Sequence, residues 1–161
     1  MAAVRTVLGL SLGTRMLGIA IARNGQLQDW QLKNFKQKWS RSKLKKILLT
    51  LDRIIDAHEI QAIAAKIPNR LPGSKAYAQL VGGLNVLCER KGISISYYAL
   101  ADIKERYCTE GINKKQLAEL IAEEYPEIGP QLEKERRNGR AYYDKVFEAV
   151  AAMGMSLDGK L

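Results

Sequence analysis

The stretch that decides the fold is Leu8-Gly9-Leu10-Ser11-Leu12-Gly13-Thr14-Arg15. It continues a nearly unbroken apolar run over residues 4–10, the pattern of a strand that is buried on both faces. Gly13 and Thr14 indicate a turn, and the apolar residues 17–22 predict a second strand. The opening of the chain therefore predicts two core strands joined by a tight turn.

A hairpin adds a third strand to these two. Asn24-Gly25 favours a two-residue turn because both residues tolerate a positive φ. Residues 26–35 alternate in polarity, with Leu27, Trp30 and Leu32 as apolar members, as expected for a strand with one buried face. We therefore expect three successive antiparallel strands.

The middle of the chain alternates between helix and strand. Apolar residues recur at three- and four-residue spacing over residues 44–55 and 77–88, which predicts two amphipathic helices. Ser40 or Ser42 can cap the first helix, and Gly92 closes the second. Short apolar segments at residues 60–67 and 93–97 predict two further strands. Helical crossovers between strands imply parallel pairing in this part of the sheet.

The C-terminal part is predicted to be helical. It contains a short turn near Ile103 and helices over residues 114–125 and 142–155, with two prolines separating the pieces. Together the elements predict an α/β fold, in which a mixed five-stranded sheet of order βββαβαβ precedes C-terminal helices and carries helices on both faces. The length of 161 residues suits one domain covering residues 1–161.

Composition narrows the class of protein. Hydrophobic residues make up 47% of the chain and charged residues 27%, which allows a packed core and argues against disorder. No apolar run approaches the roughly 20 residues needed to cross a membrane. Cys88 and Cys108 are too few and too isolated for a disulfide framework or a zinc site. We therefore expect a reduced, cytoplasmic protein with no membrane partner.

The net charge of +9 favours a polyanionic partner, usually a nucleic acid. Phe35 and Trp39 lie within a segment that contains no acid. Two interpretations stay open: cations that neutralise phosphates beside rings that stack on bases, or a solvated helix face above two core aromatics. The basic residues of this segment, residues 33–46, are Lys33, Lys36, Lys38, Arg41, Lys43, Lys45 and Lys46.

The order of elements and three stretches resemble the RNase H-like superfamily, and within it the RuvC- and YqgF-type Holliday-junction resolvases. The opening stretch resembles a motif in which a hydrophobic strand ends in Asp, followed by a glycine, a hydroxyl residue and a basic residue. Residues 98–121 are similar to a second motif, with Lys104 and Lys115 at matching places. In residues 143–153, Glu148-Ala149-Val150 is similar to the Asp-Ala-Leu ending of the family's last helix.

The resemblance implies a nuclease site in which two metal ions lie between acids of the first strand, the fourth strand and the last helix. This chain departs from that pattern, since Ser11 and Lys66 stand where the two strand acids are expected. Asp144 and Glu148 remain, one turn apart on the last helix. A serine is a weak neutral ligand, and a protonated lysine repels Mg²⁺. We therefore predict no metal site and no cofactor, and an ion pair of Lys66 with Glu148 or Asp144.

The leading hypothesis is a non-catalytic relative of the resolvases, a pseudoenzyme that binds nucleic acid, with DNA favoured over RNA. A first alternative is a nuclease that holds Mg²⁺ at an unusual site built on Asp144, Glu148 and Asp102. A second is a protein-interaction scaffold with an incidental basic face. The resemblance also implies a homodimer. The candidate nucleic-acid contacts, from the basic segment and from the family-like positions, are Lys36, Lys38, Trp39, Arg41, Lys43, Lys104, Lys115, Arg137 and Arg140.

Overall fold

The computed structural model describes residues 5–68, 74–107, 113–138 and 144–158. Five strands and six α-helices are present in these residues. A 3-10 turn, Pro126–Ile128, lies between the fourth and fifth helices. In chain order the elements are β1 (Thr6–Ser11), β2 (Met16–Arg23), β3 (Gln26–Asn34), α1 (Arg41–His58), β4 (Ala62–Ile67), α2 (Lys75–Lys91), β5 (Ser94–Ala99), α3 (Leu100–Arg106), α4 (Lys114–Glu124), α5 (Gly129–Asn138) and α6 (Asp144–Asp158).

The strands form one mixed sheet in the order β3-β2-β1-β4-β5. β1 and β2 are antiparallel, as are β2 and β3, whereas β4 runs parallel to both β1 and β5. β1 lies at the centre of the sheet and all six of its residues are buried. The mixed five-stranded sheet predicted from the sequence is thus confirmed.

Helices cover both faces of the sheet, as predicted. Successive side chains of a strand point to opposite faces, so β1 sends Leu8 and Leu10 to one side and Val7 to the other. The first side packs against α1 and α2 through residues such as Ile47 and Leu80. The second packs against α3, α4, the 3-10 turn, α5 and α6. The sheet therefore separates two hydrophobic cores.

Local signals account for the ends of the helices. Ser40 is the N-cap of α1, and its side chain accepts a hydrogen bond from Lys43 N at 3.1 Å. Gly92 ends α2 in the left-handed conformation at φ 67°. The hairpin turn has Asn24 and Gly25 at φ 53° and 82°, as a two-residue turn of this kind requires.

Helix α6 lies directly on the backbone of the sheet. A Cβ atom added to Gly9 would overlap the carbonyl oxygen of Ala149, and one added to Gly18 would overlap that of Lys145. Two glycines on neighbouring strands therefore provide the room that lets α6 approach so closely. Because α6 packs so closely on the sheet, Glu148 in the second turn of α6 lies at the carboxyl end of β1.

The structure adds one helix to those predicted. From the sequence, no separate element is assigned between residues 125 and 142, but residues 129–138 form helix α5. Pro130 is compatible with this helix because it occupies the first turn, where its missing N–H has no intrahelical partner to lose. Leu132 is buried with Ile128 against the second core, and such burial is a tertiary contact that local pattern does not reveal.

A smaller difference concerns the length of the element that follows β5. The segment predicted as a short turn near Ile103 is the helix α3.

Within the described residues, no helix is long and apolar enough to cross a membrane.

Candidate site at the carboxyl edge of the central strands

Ser11 and Lys66 lie side by side at the carboxyl ends of β1 and β4. The parallel register pairs these two residues directly, and neighbours in register share a face of the sheet. The face they share is the one that α6 covers. Two residues from distant parts of the sequence are thereby brought next to each other.

Glu148 of α6 completes this group. The Ser11 hydroxyl donates to Glu148 Oε1 at 3.4 Å, and Lys66 Nζ lies 3.0 Å from Glu148 Oε2. The predicted pairing of Lys66 with a helix acid is therefore confirmed, with Glu148 as the partner. We call these three residues the carboxyl-edge site.

The carboxyl-edge site is nearly closed to solvent. Ser11 is fully buried, and the side chains of Lys66 and Glu148 are only 11% and 5% exposed. Removing charges from water is costly, so the fold tolerates each charge of a buried pair only while its partner is present. Loss of Lys66 or Glu148 would remove a close counterion from the other buried charge.

The side chains of the carboxyl-edge site do not fit a divalent metal ion. Mg²⁺ prefers six oxygen ligands, whereas this site combines one carboxylate, one neutral hydroxyl and one ammonium group. A protonated lysine offers no lone pair. Across the described ranges, no group of three or more His, Cys, Asp or Glu side chains could hold a metal ion. The side chain of Asp144 lies outside the described part of the chain.

Asp102, the third acid of the nuclease alternative, has a local structural role. Its Oδ2 accepts a hydrogen bond from Ala99 N at 2.9 Å at the start of α3. This contact stabilises the first turn of the helix, where backbone N–H groups lack intrahelical partners. The structure does not bring Asp102 into contact with Glu148 through any described interaction.

Part of the basic segment begins at the same edge of the sheet. Phe35, the residue after β3, donates its N–H to the carbonyl of Arg15 in the β1–β2 turn at 2.7 Å. From this edge of the sheet, the chain continues through Lys36 and Lys38 to Arg41, the first residue of α1. All three of these side chains are exposed, and we call them the edge cations.

Two other members of the basic segment are engaged within the fold. Lys43 is 3% exposed, and its ammonium donates to the carbonyl of Gln37 at 2.7 Å. Burial, together with nearby Arg15, lowers the pKa of Lys43. Trp39 is half-buried, and its indole N–H donates to Gln79 Oε1 at 2.7 Å. The side chains of Lys43 and Trp39 are therefore held by contacts within the fold, whereas the edge cations are exposed.

The remaining candidate contacts lie on the helices of the second core. Lys104 is half-buried on α3, while Lys115 on α4 and Arg137 on α5 are exposed. Arg140 lies outside the described residues. No described contact joins these side chains to the carboxyl-edge site.

One basic residue near the site, Lys145, was not among the contacts predicted from the sequence. A Cβ atom on Gly13 would lie 2.9 Å from Lys145 Nζ, so the Lys145 side chain lies over the β1–β2 turn. The signal that could have located it is the small-residue pattern of the sheet, since Gly9 and Gly18 indicate the close approach of α6. Once α6 is placed, the position of Lys145 near the turn follows.

Comparison with known proteins supports the fold. No protein-family model and no curated protein matches this sequence. Among solved structures, the chain is similar to Thermus thermophilus RuvC in complex with a Holliday junction substrate, with a TM-score of 0.69 and 14% identity over 92% of this chain and 90% of that chain. A second Thermus thermophilus RuvC structure gives a TM-score of 0.66 with the same identity and coverage. This chain therefore has an RNase H-like fold of the RuvC type.

Proposed function

We propose that the protein binds nucleic acid at the edge of the sheet that holds the carboxyl-edge site, and that it does not cleave nucleic acid by a metal-dependent mechanism. The observation that carries this proposal is the buried ion pair between Lys66 and Glu148. A phosphodiester at this edge would meet an internally neutralised carboxylate in place of two metal ions. Chemistry that requires a metal-activated water has no support from these side chains.

The edge cations supply the expected affinity. Lys36, Lys38 and Arg41 are exposed near the end of β3, and cations that replace the counterions of phosphates bind nucleic acid in a salt-dependent way. DNA is proposed as the partner in preference to RNA, because the RuvC structure of the same fold was solved with a Holliday junction substrate. A homodimer is proposed from the family resemblance.

Binding to a labelled four-way DNA junction at several salt concentrations tests the proposal. We expect affinity to fall as salt rises, and the double variant Lys36→Ala/Lys38→Ala to reduce the slope of log K against log salt by about 2. Arg23→Ala is the matched control, because Arg23 is an exposed cation at the carboxyl end of β2, which is the opposite edge of the sheet. An equal loss of affinity in this control would contradict a binding site at the proposed edge.

Catalysis is tested with the same junction in Mg²⁺ or Mn²⁺. We expect no cleavage by the wild-type protein. Cleavage that disappears in Glu148→Gln would establish the nuclease alternative. No binding at low salt, together with no cleavage, would favour the scaffold alternative.

A further inference from the structure

A groove runs along the outside of the protein between α1 and α2, away from the sheet. It encloses about 590 Å³ and is lined by residues 41–52 of α1 and 79–90 of α2. At 1.5 Å per residue, each wall is about 17 Å long, or about three helical turns. We call this feature the outer groove.

The outer groove is apolar at its centre. Among the described residues, the exposed large hydrophobic side chains are Leu49 and Val86, which are 47% and 57% exposed. Both line the outer groove. Leu44 and Leu48 add to the lining. Exposed apolar surface that is rimmed by polar residues is a feature of interaction sites.

Gly82 leaves space in the outer groove that the fold itself does not use. A Cβ atom on Gly82 would meet nothing within 4 Å, whereas one on neighbouring Gly83 would lie 2.7 Å from Leu48 Cδ1. Gly83 thus allows α1 and α2 to pack closely. Gly82 has no such packing reason, although a glycine inside a helix is less stable than an alanine. Its effect is to open the groove to an incoming side chain.

The rim of the outer groove is positively charged. Arg41, Lys45 and Arg90 are exposed, line the groove and form no ion pair with any residue that the structure describes. The single acid in the lining, Asp52, is paired with Lys91. The groove therefore combines an apolar floor with uncompensated positive charge.

We infer that the outer groove binds an amphipathic helix of another protein, with acidic residues flanking its apolar face. The walls are helices whose backbone groups are already hydrogen-bonded, so an extended peptide would leave its own N–H and C=O groups unpaired against leucines. A helix satisfies its own backbone and can place apolar side chains between two helical ridges. Glutamate or aspartate at its flanks would pair with Lys45 and Arg90.

Two other occupants fit the outer groove less well. Its lining contains no aromatic side chain on which a base could stack, and its leucines cannot pair with the polar edges of bases. Two copies of this groove placed face to face would bring their basic rims together, while Asp52 is already neutralised by Lys91. Repulsion between like charges disfavours that contact.

The experiment uses the full chain and a display library of helices of about 18 residues, long enough for a stable helix. A leucine stripe is held constant and the flanking positions vary among Glu, Lys and Ser. We expect enrichment of Glu, and affinity for the selected peptides at least about tenfold lower in Gly82→Leu, which fills the groove. In Lys45→Glu/Arg90→Glu the preferred flanking residue should change from Glu to Lys.

Controls separate occlusion of the groove from loss of the fold. Gly82→Leu should melt at or above the wild-type temperature, since the space beyond Gly82 is open; if it fails to fold, Val86→Glu serves as the second variant at an exposed position. Absence of Glu enrichment, or undiminished binding by the groove variants, would overturn the inference. So would a dimer, measured by light scattering, that dissociates in Gly82→Leu, because a second copy would then occupy the groove. Junction-DNA affinity should not change in Gly82→Leu, which keeps this test independent of the proposed function.

Discussion

Lys66 and Lys91 form similar ion pairs in opposite surroundings. Lys66 lies 3.0 Å from Glu148 between the sheet and α6, where the two side chains are 11% and 5% exposed. Lys91 reaches from the end of α2 to Asp52 and Asp56 on α1, and Asp56 is 69% exposed. Water can replace a lost partner at the second place but not at the first. Burial therefore decides whether a pair is required by the fold or is an optional surface contact.

The largest expected effect is that of Lys66→Ala. This change removes the Lys66 ammonium from the buried Glu148 carboxylate, so we expect a loss of about 3–5 kcal/mol in the free energy of unfolding. Urea denaturation measures the loss. A decrease as small as that of an ordinary surface substitution would show that water reaches the carboxyl-edge site and would remove the distinction between the two lysines.

The next largest effect concerns the close packing of α6 on the sheet, which buries Lys66. Gly18→Ala places a methyl group against the Lys145 carbonyl, so α6 must shift away from the sheet, at a cost of about 1–3 kcal/mol for an overpacked core. Thermal and urea denaturation give the size of the loss. Gly82→Ala is the control, because a methyl group there meets nothing within 4 Å. Equal destabilisation by Gly18→Ala and Gly82→Ala would contradict the close packing of α6 on the sheet.

A smaller effect is expected when both members of the buried pair become apolar. Lys66→Met/Glu148→Leu removes both charges while keeping similar volumes, so its stability should lie within about 1–2 kcal/mol of the wild type, in either direction. Comparison with the two single variants gives the coupling energy between the residues. A double variant that is less stable than Lys66→Ala would show that the site holds more than a replaceable ion pair.

The smallest effect is expected for Lys91→Ala. Hydrogen bonds with Asp52, and then with Asp56, raise the pKa of Lys91. The stabilisation is therefore fully present below the ordinary lysine pKa and is lost as pH rises through the raised value. We expect a slight decrease in melting temperature at neutral pH that shrinks further in high salt, whereas the effect of Lys66→Ala should depend little on salt. Salt dependence of equal size for the two variants would contradict the contrast in burial.

Most of the fold could be predicted from local pattern. The hairpin at Asn24-Gly25, the N-cap at Ser40 and the C-cap at Gly92 each depend on neighbouring backbone geometry, and each lies where the sequence indicated. Helix α5 could not be predicted in this way, because Leu132 is held by burial with Ile128 against a core built from distant segments. Local sequence patterns predict local backbone geometry, whereas α5 depends on packing against distant segments of the chain.

The sequence alone determined which residue types meet at the carboxyl-edge site. Ser11 and Lys66 stand where the resemblance places acids, and no structure is needed to see that a hydroxyl and an ammonium are poor ligands for Mg²⁺. Sequence also supplied the positive charge that favours a polyanionic partner.

Only the tertiary structure decided how these groups are used. Ser11 and Glu148 are 137 residues apart in sequence, and they meet because Gly9 and Gly18 allow α6 to lie on the sheet. The same packing buries Lys66 beside Glu148, while a hydrogen bond to Gln37 engages Lys43 and leaves Lys36 in solvent. Charge is a property of the residue, but burial is a property of the whole fold, and burial determines whether a charge stabilises the protein or remains accessible to a partner.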